Sequence, residues 1–494
     1  MLNIRRFGRT TWTKIRLKVI LLGGLTLVLG VHLPTTAQVT IDWSQLQNQP
    51  PQSENKQISE AKPQPTLDSY QAPTDAYVDY FYTNVMAQAP YLPSDLEVKS
   101  SPRPSHSEIG CSNVIKADEN YSSAADVQYQ QVFWENRIAS DWQFFSPTAN
   151  AGKVLVIDYA TKGSALAYRY LANAQSQQLL YEPWATSNIF AFTGAAAQAR
   201  QLGLSTNSLI GDTHVGTLVT TMLAAQNGDA QNIAAYFANV AGRGYLTSLL
   251  RDEWLLLSHS QVRLKGVSSV PWRPASPVWL DLNTDTLATP FAFDNHFDDP
   301  SYQAYQCAQC GVTGNQPMTT LAQAEWLKRL ASHTREPATA HPHLTQQDVN
   351  LLFNGIVDDQ QNERAMRDET TAPSFPGGML TGVSSTLHYA LAEAIAGQPV
   401  NNPKRVLDRA TNGQWRVWQT VGWGISDERH DDRHIGENVV LAHVCLPLPD
   451  GSREFTIAAQ TAHGHNDAKA VNHAGIKMQR LLIQTLTELI RPQD

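Results

Sequence analysis

The chain is 494 residues long, 42% hydrophobic and 17% charged, with a formal net charge of −8 at neutral pH. That length supports one large domain with insertions, or two lobes. The acidic balance excludes a non-specific nucleic-acid binder, since phosphate would be repelled, and weighs against a polybasic membrane contact.

The first residues form a basic run (Arg5, Arg6, Arg9, Lys14, Arg16, Lys18) with no acid. An apolar core from Val19 to Leu33 and the small-residue site Thr35-Thr36-Ala37 follow. This pattern predicts a secretory signal peptide over residues 1–37; the apolar run is short for a membrane span. The Arg5-Arg6-Phe7 triplet hints at twin-arginine export, and an uncleaved anchor is the alternative, giving the only membrane contact expected. Removing residues 1–37 takes away six basic groups and no acid, moving the formal charge from −8 to −14. Residues 38–75 are rich in Gln, Pro, Ser and Asn and too poor in apolar groups to pack, so a disordered tether is expected, with a single domain over 76–494.

Four cysteines remain, Cys111, Cys307, Cys310 and Cys445. In an oxidising compartment disulfides are the first expectation. A local Cys307–Cys310 bridge is preferred over a redox pair or half a zinc site, because a single C-x-x-C lacks two ligands. Cys111 with Cys445 is a further pairing that spacing alone does not fix.

Apolar residues recur at helical spacing from Asp126 to Trp142, predicting a helix. Lys153 to Ala160, KVLVIDYA, reads as a strand, with a neighbour in the sequence through Tyr181. At Tyr181 to Arg200, YEPWATSNIFAFTGAAAQAR, Pro183 and Trp184 stop the chain, Thr186 and Ser187 are N-cap types, and an Ala-rich helical run follows. Helical patterns dominate from Ala185 to about Val383, including Thr217–Ala225, Asn232–Val240, Leu321–Leu330 and Gln346–Ile356, the last with Thr345 as N-cap. Three strand-like segments follow, WRVWQTVGW, NVVLAHVCLPL and REFTIAAQT, with Asp450-Gly451 marking a hairpin. From Asp467 to Arg491 an apolar face (Val471, Ala474, Met478, Leu481, Leu482, Leu486, Leu489) predicts a closing helix.

A helix start such as Ala185 is a natural place for a hydrolase nucleophile, because the first peptide N–H groups favour negative charge. The frame Tyr181, Pro183, Ala185, Thr186, Asn188, Ile189, Phe190 resembles the S-x-x-K stretch of the serine β-lactamase and penicillin-binding (DD-peptidase) superfamily, class A in type. The run Ala230 to Gly242 resembles the S-D-N segment, with Asn232 holding the Asn. Thr420 to Gly424, TVGWG, resembles the K-T-G strand. The likeness covers roughly residues 110–494. It implies an α+β fold: an antiparallel sheet built from N- and C-terminal segments, flanked by helices, with a helical lobe inserted over about 185–383.

The resemblance also implies lost chemistry. Ala185 stands at the nucleophile, Asn188 at its base, Ala230 at the proton-relaying Ser and Thr420 at the carboxylate-binding Lys. An alanine methyl cannot be acylated, and removing members of one catalytic unit abolishes most of its acceleration. No E-x-x-L-N match supplies a deacylation base. Ser187, about 200° round the helix from Ala185 at ~100° per residue, faces away from that position and reads as a cap. The residues expected at a ligand are Asn232, Gly422, Trp423 and Ser187.

His430 and His434, four apart in HDDRH, and His463 and His465 in HGH, with His473 downstream, are the candidate metal ligands. The preferred reading of HDDRH is a charged turn between strands, so no metal or other cofactor is expected. Trp415, Trp418 and Trp423 more often fill core and groove than form a carbohydrate platform; Trp418 is expected in the core and Trp423 at the cleft rim. The leading expectation is an exported, periplasmic or extracellular pseudoenzyme that binds a peptidoglycan peptide, a glycan or a protein partner. The alternatives are an active serine hydrolase with an unrecognised nucleophile, acting on β-lactams or D-Ala-D-Ala peptides, and a metal-binding protein using the C-terminal histidines.

Overall fold

A computed structural model describes residue 78 and residues 109–224, 228–267, 269–290, 293–305, 314–355, 378–381, 386–428, 433–465 and 469–491. The expected signal peptide and tether, and Cys307 and Cys310, lie outside the described residues.

In chain order, β1 (Ser122–Ser123), α1 (Ala124–Val127), β2 (Ser140–Phe145), β3 (Lys153–Lys162) and β4 (Ala165–Asn173) lead to helix α2 (Asn188–Gln201). The inserted part holds β5 (Ser208–Ile210), β6 (Thr213–His214), α3 (Val215–Ala224), α4 (Gly228–Ala241), α5 (Arg243–Ser248), β7 (Trp279–Asp281), β8 (Leu287–Ala288), α6 (Thr320–Ala331) and α7 (Gln346–Asn354). Then come α8 (Thr386–Ala396), α9 (Pro403–Thr411), β9 (Arg416–Glu428), β10 (Arg433–Leu448), β11 (Gly451–His465) and α10 (Ala470–Ile490).

The main sheet runs β1-β4-β3-β11-β10-β9, antiparallel throughout, with β2 added in parallel to β4. The N- and C-terminal segments join where β3 pairs β11, with Val156 opposite Ile457. The fold is therefore α+β, with the sheet composed as the sequence predicts. Both faces of β3 are covered, which is why KVLVIDYA is nearly all apolar instead of alternating. Leu155, Ile157 and Tyr159 pack with Phe190 of α2 and Trp326 of α6. Val154 and Val156 pack with Met478 and Leu482 of α10. Leu448 pairs Gly451 across the predicted Asp450-Gly451 hairpin. Thr345 caps α7 in a capping box with Asp348, whose carboxylate also receives Arg200 at 2.7 and 2.8 Å.

Two expectations are corrected. The segment Asp126–Trp142 is not one helix. The capping box of Ser123 and Asp126 starts α1, but Gln128 at φ +55° and Phe133 at φ +59° break the run, and the chain enters strand β2. The inserted lobe is also not purely helical, since it contains a four-stranded sheet, β6-β5-β7-β8. Those strands are two or three residues long, too short for an alternating pattern to register.

Helix α6 is buried along its whole length, charged residues included. The Glu325 carboxylate receives Arg329 at 2.7 Å and the Tyr170 hydroxyl at 2.7 Å, with Lys328 at 3.5 Å. The Lys328 ammonium sits 4.0 Å from the ring centres of both Tyr129 and Tyr168. Burial pulls that ammonium down to about 8 against the opposing pull of Glu325. On the same face of the sheet Cys111 is bonded to Cys445, tying the segment before β1 to β10.

Candidate functional site

Tyr181 is held by paired backbone hydrogen bonds to Met318, each 2.9 Å, and the chain then turns through Glu182 and Pro183 into the 3-10 turn Trp184–Ser187 and α2. The turn puts Trp184 at φ +50°, a conformation that costs a bulky residue of order 1–3 kcal/mol unless its surroundings fix it. Three contacts do so. The indole Nε1 donates to Glu437 Oε2 at 2.8 Å. The indole ring lies against Gly424, where an added Cβ would stand 2.2 Å from Cζ3. At Gly422 an added Cβ would fall 2.7 Å from the Ala185 nitrogen and 2.8 Å from the Pro183 carbonyl oxygen.

The first and third motif stretches therefore meet backbone to backbone, and they do so because β9 carries glycine at alternate positions facing the turn. Gly422→Ala is expected to cost about 1–3 kcal/mol, because rigid main chain stands in the way of the new methyl. Denaturant unfolding checks this; a variant as stable as the parent would show that the strand does not seat on the turn.

The neighbouring hydroxyls do not act as caps. Thr186 Oγ1 donates to the Pro183 carbonyl at 2.5 Å, and Ser187 Oγ donates to the Trp184 carbonyl at 2.7 Å. Each hydroxyl turns back along the chain, and no side-chain cap bond is made at Ser187. Both side chains are buried.

Asn188 opens α2 and is buried; Ala185, before it, is half-buried. Ala230 lies buried on α4, and the carbonyl of Asn232 accepts from the Trp272 N–H at 2.9 Å. Helix α4 packs along α2, with Phe192 and Phe237 edge to face at 5.5 Å. Thr420 faces the same way as Gly422 on β9, opposite Leu441 of β10, and is buried. Strand alternation places Trp423 on the opposite face from Gly422 and Gly424, 37% exposed, and not on the rim beside Ala185. Trp418 is fully buried, its Nε1 donating to Asn354 at 2.9 Å, and Trp415 is buried on the α10 side of the sheet.

Beneath the turn runs a polar chain that no sequence motif announces. Gln460 Nε2 donates to Glu437 Oε1 at 3.0 Å, and Lys153 Nζ donates to Gln460 Oε1 at 2.6 Å. Lys153 also stands 5.9 Å from the ring centre of Tyr181. The Tyr181 hydroxyl donates to Gln323 Oε1 at 2.6 Å, and Gln323 Nε2 donates to Thr186 at 2.7 Å, closing the circuit on the turn. Burial pushes the Glu437 carboxyl up to about 7 despite the Trp184 bond and the Lys153 charge. Burial likewise pushes Glu182 up to about 7, although the Gly314 N–H donates to it at 3.0 Å. The circuit braces the turn, and the two hydroxyls beside Ala185 donate to carbonyls three residues back.

Strands β9 and β10 extend further than expected, so His434 lies in β10, opposite His465 of β11 and Asp427 of β9, and not in a turn. His430 lies outside the described residues. The ring of His463 stacks on that of His473, centres 4.8 Å apart and 16° from parallel. Among the described residues no three His, Cys, Asp or Glu side chains converge as metal ligands. A surface hollow of about 600 Å³ opens beside β2 and β4, lined by Asp141, Trp142 and Arg169 among others, and includes none of the predicted site residues.

No family model matches the sequence, and no curated protein matches it. Among solved structures the chain is similar to TLA-3 extended-spectrum β-lactamase, at 10% identity over 69% of this chain and 95% of that one, with a TM-score of 0.36. It is similar to a class A β-lactamase from Bacteroides cellulosilyticus, at 10% identity over 68% and 92%, with a TM-score of 0.33. PBP-A is similar at 11% identity over 68% and 89%, with a TM-score of 0.31. Likeness at this level assigns no activity.

Proposed function

We propose that this chain is an exported, non-catalytic protein of the β-lactamase/DD-peptidase kind, whose cleft beside Ala185 and β9 binds a cell-wall peptide. The observation that carries the reading is the turn at Trp184–Ala185. Its strained backbone is held by Glu437, Gly422 and Gly424, yet the position it displays bears a methyl group. Strain of this kind persists where surrounding structure fixes it and clusters at ligand sites. Asn188 and Thr420 offer no basic nitrogen, so proton transfer to or from an attacking hydroxyl has no agent at those positions. Export is supported by the basic run, apolar core and small-residue site of residues 1–37, and by the Cys111–Cys445 bond, which suits an oxidising compartment.

Two measurements on the purified chain test this. Incubation with a fluorescent penicillin is expected to leave the intact mass unchanged and the band unlabelled. A stem peptide ending in D-Ala-D-Ala is expected to bind reversibly in calorimetry, uncleaved. A stable penicillin adduct on any side chain would overturn the loss of catalysis; absence of peptide binding would overturn the ligand class.

A further inference from the structure

The circuit beneath the Trp184 turn also sets an amine against an amide carbonyl. Lys153 and Gln460 are direct partners across the antiparallel pair β3–β11, so their side chains leave the sheet on one face. Glu437 stands on the neighbouring strand β10, diagonal to Gln460, whose direct partner there is Val439. Alternation puts all three on the face that carries Leu155, Ala458 and Leu441, against α2 and α6. Gln460 and Glu437 are each 1% exposed, and Lys153 is half-buried, 5.9 Å from the ring centre of Tyr181.

The hydrogen bonds order these groups for one reaction. Nζ of Lys153 lies 2.6 Å from Oε1 of Gln460, and Nε2 of the same amide lies 3.0 Å from Oε1 of Glu437. With a carbonyl bond of about 1.23 Å and an ordinary angle at the oxygen, the amine is about 3.4 Å from Cδ, inside near-attack range. The other Glu437 oxygen accepts from Trp184 Nε1 at 2.8 Å, which holds the carboxyl on the amide.

We propose that Lys153 and Gln460 join in an intramolecular isopeptide bond, with Glu437 as the proton carrier. The lone pair of the Lys153 amine attacks Cδ of Gln460, forming the Nζ–Cδ bond. The Cδ–Nε2 bond then breaks, and its electron pair leaves on nitrogen. Glu437 takes the proton that Nζ sheds and gives one to Nε2, so ammonia departs. A primary amine and a primary amide thus become a secondary amide and ammonia, and no further reactant is needed. Burial favours the states this requires. It lowers Lys153 toward the free amine against the pull of Glu437, with the Lys477 charge assisting. It raises Glu437 to about 7, where a carboxyl both gives and takes protons near neutrality. The bond ties the N-terminal strand β3 to the C-terminal strand β11, and it forms whatever the cleft binds.

The test is a peptide map of the full chain, reduced and digested with trypsin. Segments 138–162 and 454–468 are expected joined, uncut after Lys153 and lighter than their sum by one ammonia. Fragmentation should place the link on Lys153 and Gln460. Glu437→Gln keeps the size of the side chain but has no carboxyl proton to transfer, and should cut the joined fraction at least about tenfold. Circular dichroism establishes that the variant is folded. Should it fail to fold, Glu437→Asp, with its carboxyl drawn back by one carbon, takes its place and should slow the joining. Recovery of segments 138–153 and 454–468 free and unmodified from the parent, after long incubation at neutral pH, overturns the bond. An undiminished joined fraction in folded Glu437→Gln overturns the role of Glu437.

Discussion

Replacing Glu454 with glutamine is expected to remove about 3–5 kcal/mol of stability, the cost of stripping one partner from a buried ion pair. Glu454 is fully buried on β11. Its Oε2 accepts the Cys111 N–H and Arg335 Nη1, each at 2.9 Å, Oε1 receives Arg335 Nη2, and His443 lies 3.2 Å away. Burial pushes the carboxyl up, but the Arg335 charge outweighs it, with hydrogen bonds from His443 and Arg335 adding to the effect, and holds the group at about 2. A carboxylate depressed in the folded state contributes stability above its unfolded value near 4.5, and that contribution is lost as pH falls toward about 2. Urea unfolding at neutral pH measures the cost. The double variant Arg335→Met, Glu454→Leu should lose much less than the two single losses added, because neither charge is stranded. A loss below about 1 kcal/mol in Glu454→Gln would show the pair to be incidental.

Glu437 works in the opposite sense. Its folded value, about 7, lies above the ordinary 4.5, so the folded state binds the proton more tightly. Its effect on stability turns unfavourable as pH rises from 4.5 through 7, when a charge must be kept in a buried site. Glu437→Gln is therefore expected to be roughly 2–3 kcal/mol more favourable, relative to the parent, at pH 8 than at pH 5. The parent's own profile mixes this with buried His341 and His443, which burial lowers and which lose stability on acidification; they cancel in the comparison. Unfolding midpoints of both proteins at the two pH values give the answer. A difference independent of pH would mean that the carboxyl is not held under Trp184 as described.

The elements with a single strong signal were legible in the sequence: the β-branched strand β3, the three long C-terminal strands, the Asp450-Gly451 hairpin and the apolar stripe of α10. The central strands β3, β10 and β11 bury both faces and read as apolar runs, while α10 buries one stripe, so each pattern survives in the residue order. The first segment departs from its expected helix because apolar residues such as Val127, Val132, Phe133, Ile138 and Trp142 fit a folded loop as well as a helix. The left-handed Gln128 and Phe133 leave no compositional trace. Around the candidate site the motif stretches could be ordered along the chain, and Gly422 against Ala185 brings two of them together. The bracing circuit of Lys153, Gln460, Glu437 and Gln323 could not be foreseen. Its members come from four separate elements, and a lone polar residue in a strand looks the same whether it faces water or a buried partner. Helix α6 gives as little warning: its charged residues Glu325, Lys328 and Arg329 all lie in the core.

The bond between Cys111 and Cys445 spans 334 positions of sequence. A nascent chain carries its first thiol through the synthesis of the whole inserted lobe before the second exists, so covalent closure belongs to the final stage of biogenesis. Chain released into a reducing cytosol must keep its shape without that bond until it meets an oxidant. Material harvested from such a compartment would be the open, thiol-bearing form, distinguishable by two additional alkylations.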